Sequence, residues 1–147
     1  MKPTIQINLP INNVIELFMD KNNFKEWKKD FISYEHISGI PGEAGAVTKL
    51  VYKRPTMFET IVSKKLPGEI VEMYEHKQGE KTTMVHKSTY HFKFLSEKST
   101  LLEVDMEIIK VNGFMLKLIM TLMFGPGKKY AQEQLNKFKV FAENTAP

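Results

Sequence analysis

The stretch TTMVHKSTYHFKFLSEKSTLLEVDMEIIK, from Thr82 to Lys110, decides how this chain is read. Both of its arms alternate apolar with polar residues, the period of a strand that buries one face. Ser96 to Thr100 between them reads as a five-residue hairpin loop. Placing Leu95 opposite Leu101 sets Lys93 against Glu103, His91 against Asp105 and Thr89 against Glu107 on one face. On the other face it sets Phe94 against Leu102, Phe92 against Val104 and Tyr90 against Met106. Charges pair outside and apolar groups pair inside. A slip of one residue would exchange the faces of one strand, so a register that satisfies both faces is strongly specified. The first arm then turns Met84, His86, Ser88, Tyr90 and Phe92 inward.

Four more runs of strand length precede this hairpin: Phe31 to Ser38, Ala46 to Lys53, Thr56 to Lys65 and Glu69 to His76. Turn signals separate them at Gly39 to Gly45, Arg54-Pro55, Pro67-Gly68 and Gln78-Gly79, and connections this short imply antiparallel neighbours. Upstream, Ile5, Ile7 and Leu9 alternate with Gln6 and Asn8 as a short first strand. From Ile11 the period becomes helical through Val14, Leu17 and Phe18, until Asp20-Lys21-Asn22-Asn23 stops it before a second short turn with Phe24 and Trp27. After Asn112-Gly113 the pattern is helical for about thirty residues, roughly 45 Å at 1.5 Å per residue. Gly125-Pro126-Gly127 predicts a kink or break in it, followed by an amphipathic stretch with Ala131, Leu135, Phe138 and Ala142 on one face.

With 147 residues, 42% hydrophobic and 26% charged, the chain has the size and balance of one globular domain with one core. Its longest apolar stretch, Phe114 to Phe124, is broken by Lys117 and falls short of the roughly 18 residues of a membrane span. Residues Met1 to Pro10 lack the apolar segment of an export signal, so the cytoplasm is the expected location. The absence of cysteine excludes disulfides and thiolate chemistry. A net charge of +4 invites a nucleic-acid reading. The lysines, however, come as isolated pairs (Lys28-Lys29, Lys64-Lys65, Lys128-Lys129) separated by acids, the pattern of a solvated surface. No nucleic acid, metal or cofactor is expected; peripheral contact with an anionic membrane, and monomer or homodimer, stay open.

The element order gives an α+β layout, helices gathered on one side of a seven-stranded antiparallel sheet. One helix about 10 Å across cannot cover a flat sheet of that width, so the sheet is expected to curl around it and enclose volume. The inward face carries three hydrogen-bonding side chains, His86, Ser88 and Tyr90, among large apolar ones. Left unpartnered, each would cost about 1 to 3 kcal/mol, so they must meet a ligand, a water or one another. An apolar cavity with a few convergent polar groups is the usual make-up of a small-molecule site; a satisfied network around an ordered water is the alternative. Met115, Met120 and Met123 suit an adaptable wall, though methionine also fills irregular cores. Trp27 and the Pro41-Gly42 loop are expected at the rim of an entrance. The residues expected around a ligand are Trp27, Tyr52, Met84, His86, Ser88, Tyr90, Met106, Met120, Met123 and Phe124.

Leu9-Pro10-Ile11-Asn12-Asn13-Val14, followed by Phe18, Asp20 and Trp27, resembles the opening of the START-type (SRPBCC), pollen-allergen-like helix-grip superfamily, in particular its polyketide cyclase/dehydrase-like branch. Gly39 with Gly45, the Tyr90-His91-Phe92 strand, and Phe138 with Glu143 fall where that family places similar features. The resemblance implies a helix-grip fold over residues 1–147, with a seven-stranded curved antiparallel sheet (β-α-α-β6-α) wrapped around a long C-terminal helix. It also implies a deep cavity for lipids, polyketides, sterols or similar molecules. Gly125-Pro126-Gly127 departs from many relatives, and no motif transfers a catalytic residue.

Binding or carriage of a small hydrophobic ligand is therefore the leading expectation. The rival is a cyclase, dehydratase or hydrolase using His86 as general acid or base with Tyr90 as partner. Those two lie about 13 Å apart along a strand, so a substrate would have to bridge them. GxSxG is absent, and His36, His76, His86 and His91 follow no metal-ligand spacing. A third reading is a scaffold whose basic surface docks on a partner or an anionic lipid.

Overall fold

The computed structural model describes residues 2–113 and 124–145, in side-chain detail from residue 128 onward in the second segment. Strand β1 (Thr4–Ile7) leads into α1 (Ile11–Met19), a 3-10 turn (Lys21–Asn23) and α2 (Phe24–Trp27). Strands β2 (Phe31–Ser38), β3 (Val47–Tyr52), β4 (Thr56–Lys65), β5 (Glu69–Gln78), β6 (Lys81–Ser96) and β7 (Ser99–Val111) follow, and helix α3 (Phe124–Thr145) ends the described chain. The strands form one antiparallel sheet in the order β1-β7-β6-β5-β4-β3-β2. Sequential strands pair as neighbours, and the first strand closes against the last. The curved sheet holds α1, α2 and α3 against its inner face, the α+β layout expected from the sequence.

Local chemistry sets the element ends. Helix α1 buries Val14 and Phe18, four residues apart on one face. It stops where Asp20 becomes extended and its carboxylate accepts the Asn22 N–H at 2.9 Å, starting the 3-10 turn. In α3 the buried residues are Ala131, Leu135, Phe138 and Ala142, the face anticipated from spacing. The expected break at Gly125-Pro126-Gly127 does not occur within the described helix. Pro126 falls in the first turn of α3, where a missing N–H and a fixed φ are compatible with helix. Residues 114–123, where the first part of the expected thirty-residue helix falls, lie outside the described residues.

The β6–β7 hairpin keeps its expected faces but not its expected register. Tyr90 opposes Val104, Phe92 opposes Leu102, His91 opposes Glu103 and Thr89 opposes Asp105, a shift of two residues. The cause is the turn: Glu97-Lys98 alone connects the strands. The Ser96 and Ser99 hydroxyls bond each other at 2.7 Å, and the Lys98 N–H donates to Ser96 Oγ. An irregularity between Phe94 and Ser96 takes up the odd residue. A shift by an even number leaves every side chain on its face, so His86, Ser88, Phe92, Leu102 and Val104 are buried. Lys93 still reaches Glu103, now diagonally, at 3.3 Å. Phe94 departs from its expected inward role: at the hairpin end it is 62% exposed.

Among the described residues no helix is long and apolar enough to cross a membrane. The β2–β3 connection turns on Gly39, whose φ is +79°. A Cβ there would meet the Ala46 Cα at 2.8 Å and the Gly45 carbonyl oxygen at 2.9 Å, both backbone atoms that cannot swing aside. Gly39→Ala is expected to lower stability by about 2 kcal/mol, from left-handed strain plus this contact. Urea denaturation reads it as a lower midpoint; an unchanged midpoint would contradict the close approach.

Candidate functional site

A cavity of about 410 Å³ lies between the concave sheet and the first half of α3. Its position follows from where aromatic packing stops. Phe92 of β6 and Phe138 of α3 are buried in an aromatic cluster with Phe18 and Trp27 that fills one end of the interior. From there β6 continues through Tyr90, Ser88, His86 and Met84, and α3 runs back through Leu135, Ala131 and Lys128, and these residues line open space. The floor is completed by Tyr74 and His76 from β5, Met57 from β4, Tyr52 from β3, and Val104, Met106 and Ile108 from β7. A wider depression of about 760 Å³ between Asn22, Glu26 and Val140 lies open on the exposed side of α3, outside the core.

Beside the cavity runs a buried polar chain. Lys21 Nζ meets Glu59 Oε1 at 2.9 Å, and Glu59 hydrogen-bonds Glu72. The Tyr74 hydroxyl donates to Glu72 Oε2 at 2.9 Å. Burial and the neighbouring Glu59 charge push the Glu72 carboxyl well above its ordinary range. Burial pushes Glu59 in the same direction, but the hydrogen bond with Glu72 and the charges of Lys21 and Lys28 outweigh it and hold that carboxyl low. The pair thus shares one proton, kept by Glu72 and donated to Glu59.

The Tyr74 ring stacks on the His86 imidazole, with centroids 4.8 Å apart and planes 11° from parallel, as their direct cross-strand pairing requires. His86 Nδ1 lies 2.8 Å from His76 Nε2, so one imidazole donates to the other. Burial pushes His76 down to about 4. Burial, helped by the His76 and Lys28 charges, pushes His86 down to about 3, so both rings are neutral at pH 7. Burial raises Tyr90 to about 12.

The structure brings Trp27, Tyr52, Met84, His86, Ser88, Tyr90 and Met106 to one cavity wall. Met120 and Met123 lie outside the described residues, as does the side chain of Phe124. Trp27 is not at an exposed rim: it is buried in the aromatic cluster, and its indole N–H has no hydrogen-bond partner. The Pro41-Gly42 loop does not line the cavity. His86 pairs with His76 and Tyr74 rather than with Tyr90, whose ring packs on Phe18 at 4.8 Å. Lys28 and Lys128, expected on the solvated surface, line the cavity instead. Glu59, Glu72, Tyr74 and His76 were not anticipated, although a signal existed. On β4 and β5 they stand in phase with Met57, Ile61 and Ile70, so the period-two rule puts them on the buried face.

No protein-family model and no curated protein matches the chain. Solved structures do match. The allergen Ara h 8.0201 superposes with a TM-score of 0.72 at 10% identity, over 99% of this chain and 97% of its own. A conserved protein from Geobacillus kaustophilus gives 0.71 at 14% identity, over 97% and 93%. The di-domain ARO/CYC StfQ from the steffimycin biosynthetic pathway gives 0.68 at 15% identity, over 97% of this chain and 45% of StfQ. The fold is the helix-grip fold.

The buried titratable groups of this helix-grip interior make stability depend on pH with a definite sign. Between pH 6 and 5 the unfolded chain binds protons at His76 and His86 that the folded chain refuses, because both folded values are depressed. Glu72 acts oppositely, holding in the folded state a proton that its raised value retains. Folding therefore releases two protons and takes up one at these groups, and their contribution to stability falls on acidification by about 1.4 kcal/mol per pH unit. Urea midpoints at pH 6 and 5 measure this. Glu72→Gln is expected to steepen the slope, and His76→Leu with His86→Leu to reverse it. A pH-independent midpoint in all three proteins would contradict the assignment.

Proposed function

We propose that the chain binds a small hydrophobic ligand in the cavity between the sheet and α3. The observation that carries this reading is an interior of about 410 Å³ walled by Met57, Met84, Met106, Leu135 and aromatic rings, with His86, Ser88 and several charged side chains also in its lining. That size and composition fall in the range of small-molecule sites. Burial at about 25 cal/mol per Å² supplies affinity, and Ser88 and Tyr90 orient a polar end of the guest. The reading extends to a cytoplasmic protein acting as monomer or homodimer.

A second reading, acid–base catalysis on a guest as in a cyclase, dehydratase or hydrolase, draws on the His76–His86 hydrogen bond in the cavity wall and on the fold shared with StfQ. It is the weaker one. Bases whose conjugate acids titrate near 3 and 4 gain little driving force at neutral pH. Substrate turnover that vanishes in His86→Ala would reverse the ranking.

Native mass spectrometry of the freshly purified chain is expected to reveal a co-purified small molecule that departs on denaturation. Tyr90→Phe combined with His86→Ala is expected to weaken its retention by about five- to ten-fold, the range for losing a buried hydrogen bond. Retention unchanged in this double variant would remove both residues from the site. A bare chain that also fails to take up decanoate, 1-decanol and decyltrimethylammonium would overturn the binding reading.

A further inference from the structure

The charges inside the fold do not balance. Lys21 is matched by Glu59 at 2.9 Å, and Glu72 hydrogen-bonds Glu59 with the proton the two carboxyls share. Lys28 follows directly on α2, is half-buried, and lines the cavity. It has no carboxylate within ion-pair distance among the described residues. Its ammonium instead lies 4.2 Å from the Phe24 ring centroid, 5.1 Å from that of Trp27 and 6.0 Å from that of Tyr74. Aromatic faces compensate a cation only in part, and they leave its N–H groups without acceptors.

Another group on this part of the wall can donate as well. The Ser88 hydroxyl lines the cavity with no hydrogen bond among the described residues, whereas the unpartnered Trp27 indole N–H is shielded from the cavity. The acid at the cavity margin, Asp105, already faces Lys2 at 3.5 Å. A guest that pairs with Lys28 must bring acceptors and one negative charge, and must otherwise be apolar.

We infer that Lys28 is the head-group residue of the cavity, and that the guest is an amphipathic monoanion whose carboxylate-type group pairs with the Lys28 ammonium beside Trp27 while its hydrocarbon body lies along Met84, Val104 and Leu135. This inference rests on the binding reading above and specifies its chemical class. Neutral lipids and amphipathic cations are thereby disfavoured, the first for lacking the charge and the second for bringing the wrong sign. The His76–His86 pair, being neutral, neither repels nor replaces the anion.

Trp27, the chain's one tryptophan, reports occupancy by its own fluorescence. Full-length protein is titrated at pH 7.5 with decanoate, 1-decanol and decyltrimethylammonium, probes that share a ten-carbon chain and differ in head-group charge. Wild type is expected to bind decanoate about ten-fold or more tighter than decanol, the usual scale for a charge-assisted contact. Lys28→Met is expected to erase that preference. Lys28→Arg is expected to keep much of it, and Lys98→Met at the distant hairpin turn to change nothing.

Equal binding of decanoate and decanol by wild type overturns the inference, even if no variant folds. So does a preference that survives Lys28→Met, or tighter binding of the cation. In each of these cases the cavity reading stands. If wild type takes up none of the three probes, the cavity reading falls and this inference falls with it.

Discussion

Phe18 meets four other rings at once: Trp27 from α2, Tyr90 and Phe92 from β6, and Phe138 from α3, with centroids between 4.8 and 5.5 Å away. Three of the four contacts are edge-on, the arrangement ring quadrupoles favour. This junction joins α1, α2 and α3 to the sheet, so it fixes how far the helices stand from it. Phe138 is fully buried and continues the contact to Trp27 at 5.0 Å. With the layers held apart by the thickness of an aromatic cluster at one end, smaller side chains further along cannot meet across the gap. Ser88 and Ala131 stand there, and the space between them stays open.

The same spacing explains why charged groups can be inside. A curved sheet with one helix on its concave side leaves the β3–β5 region covered by α2 and the preceding 3-10 turn, which brings Lys21 and Lys28 to the sheet. Lys21 then compensates Glu59, which is only 1% exposed. Two adjacent buried carboxyls cannot both ionise at low cost, and the shared proton lets one lysine satisfy the pair. The second lysine, Lys28, adds its charge to the field on the pair while its ammonium packs against aromatic rings. The electrostatic character of the interior therefore follows from two short helical turns whose sequence signal is slight.

Much of the fold was legible because period-two alternation survives errors in register. The β6–β7 hairpin was placed two residues out, yet every inward residue from Met84 to Phe92 keeps its face, since only an odd slip would turn it around. The turn was misjudged because Ser96 to Thr100 contains no glycine or proline to mark its ends, and the hydroxyl contact between Ser96 and Ser99 that tightens it exists only once the strands meet. At the site, His86, Ser88 and Tyr90 stood out as polar residues in phase with apolar ones. Glu59 and Glu72 obeyed the same rule and were passed over, because charge usually marks the solvent face. Lys28 was hidden for a related reason: beside Lys29 it reads as a surface pair, and only the helical turn of α2 sends one lysine inward and leaves the other exposed.

An interior built for stability alone would be assembled differently. Replacing a buried ionic set by well-packed apolar groups of similar volume is often neutral or stabilising, and filling a cavity restores contacts that its lining has lost. Here Lys21, Glu59, Glu72, Tyr74, His76 and His86 form a continuous polar seam along one side of an apolar space, and almost every member is satisfied by its neighbour. A satisfied seam is rigid, because moving any one group would strand another in a medium of low dielectric constant. It therefore holds its cavity-facing members in fixed positions, while Met57 and Met84, the cross-strand neighbours of His76, remain adaptable. Among the described residues the seam leaves the Trp27 N–H, the Ser88 hydroxyl and the Lys28 ammonium without hydrogen-bond partners.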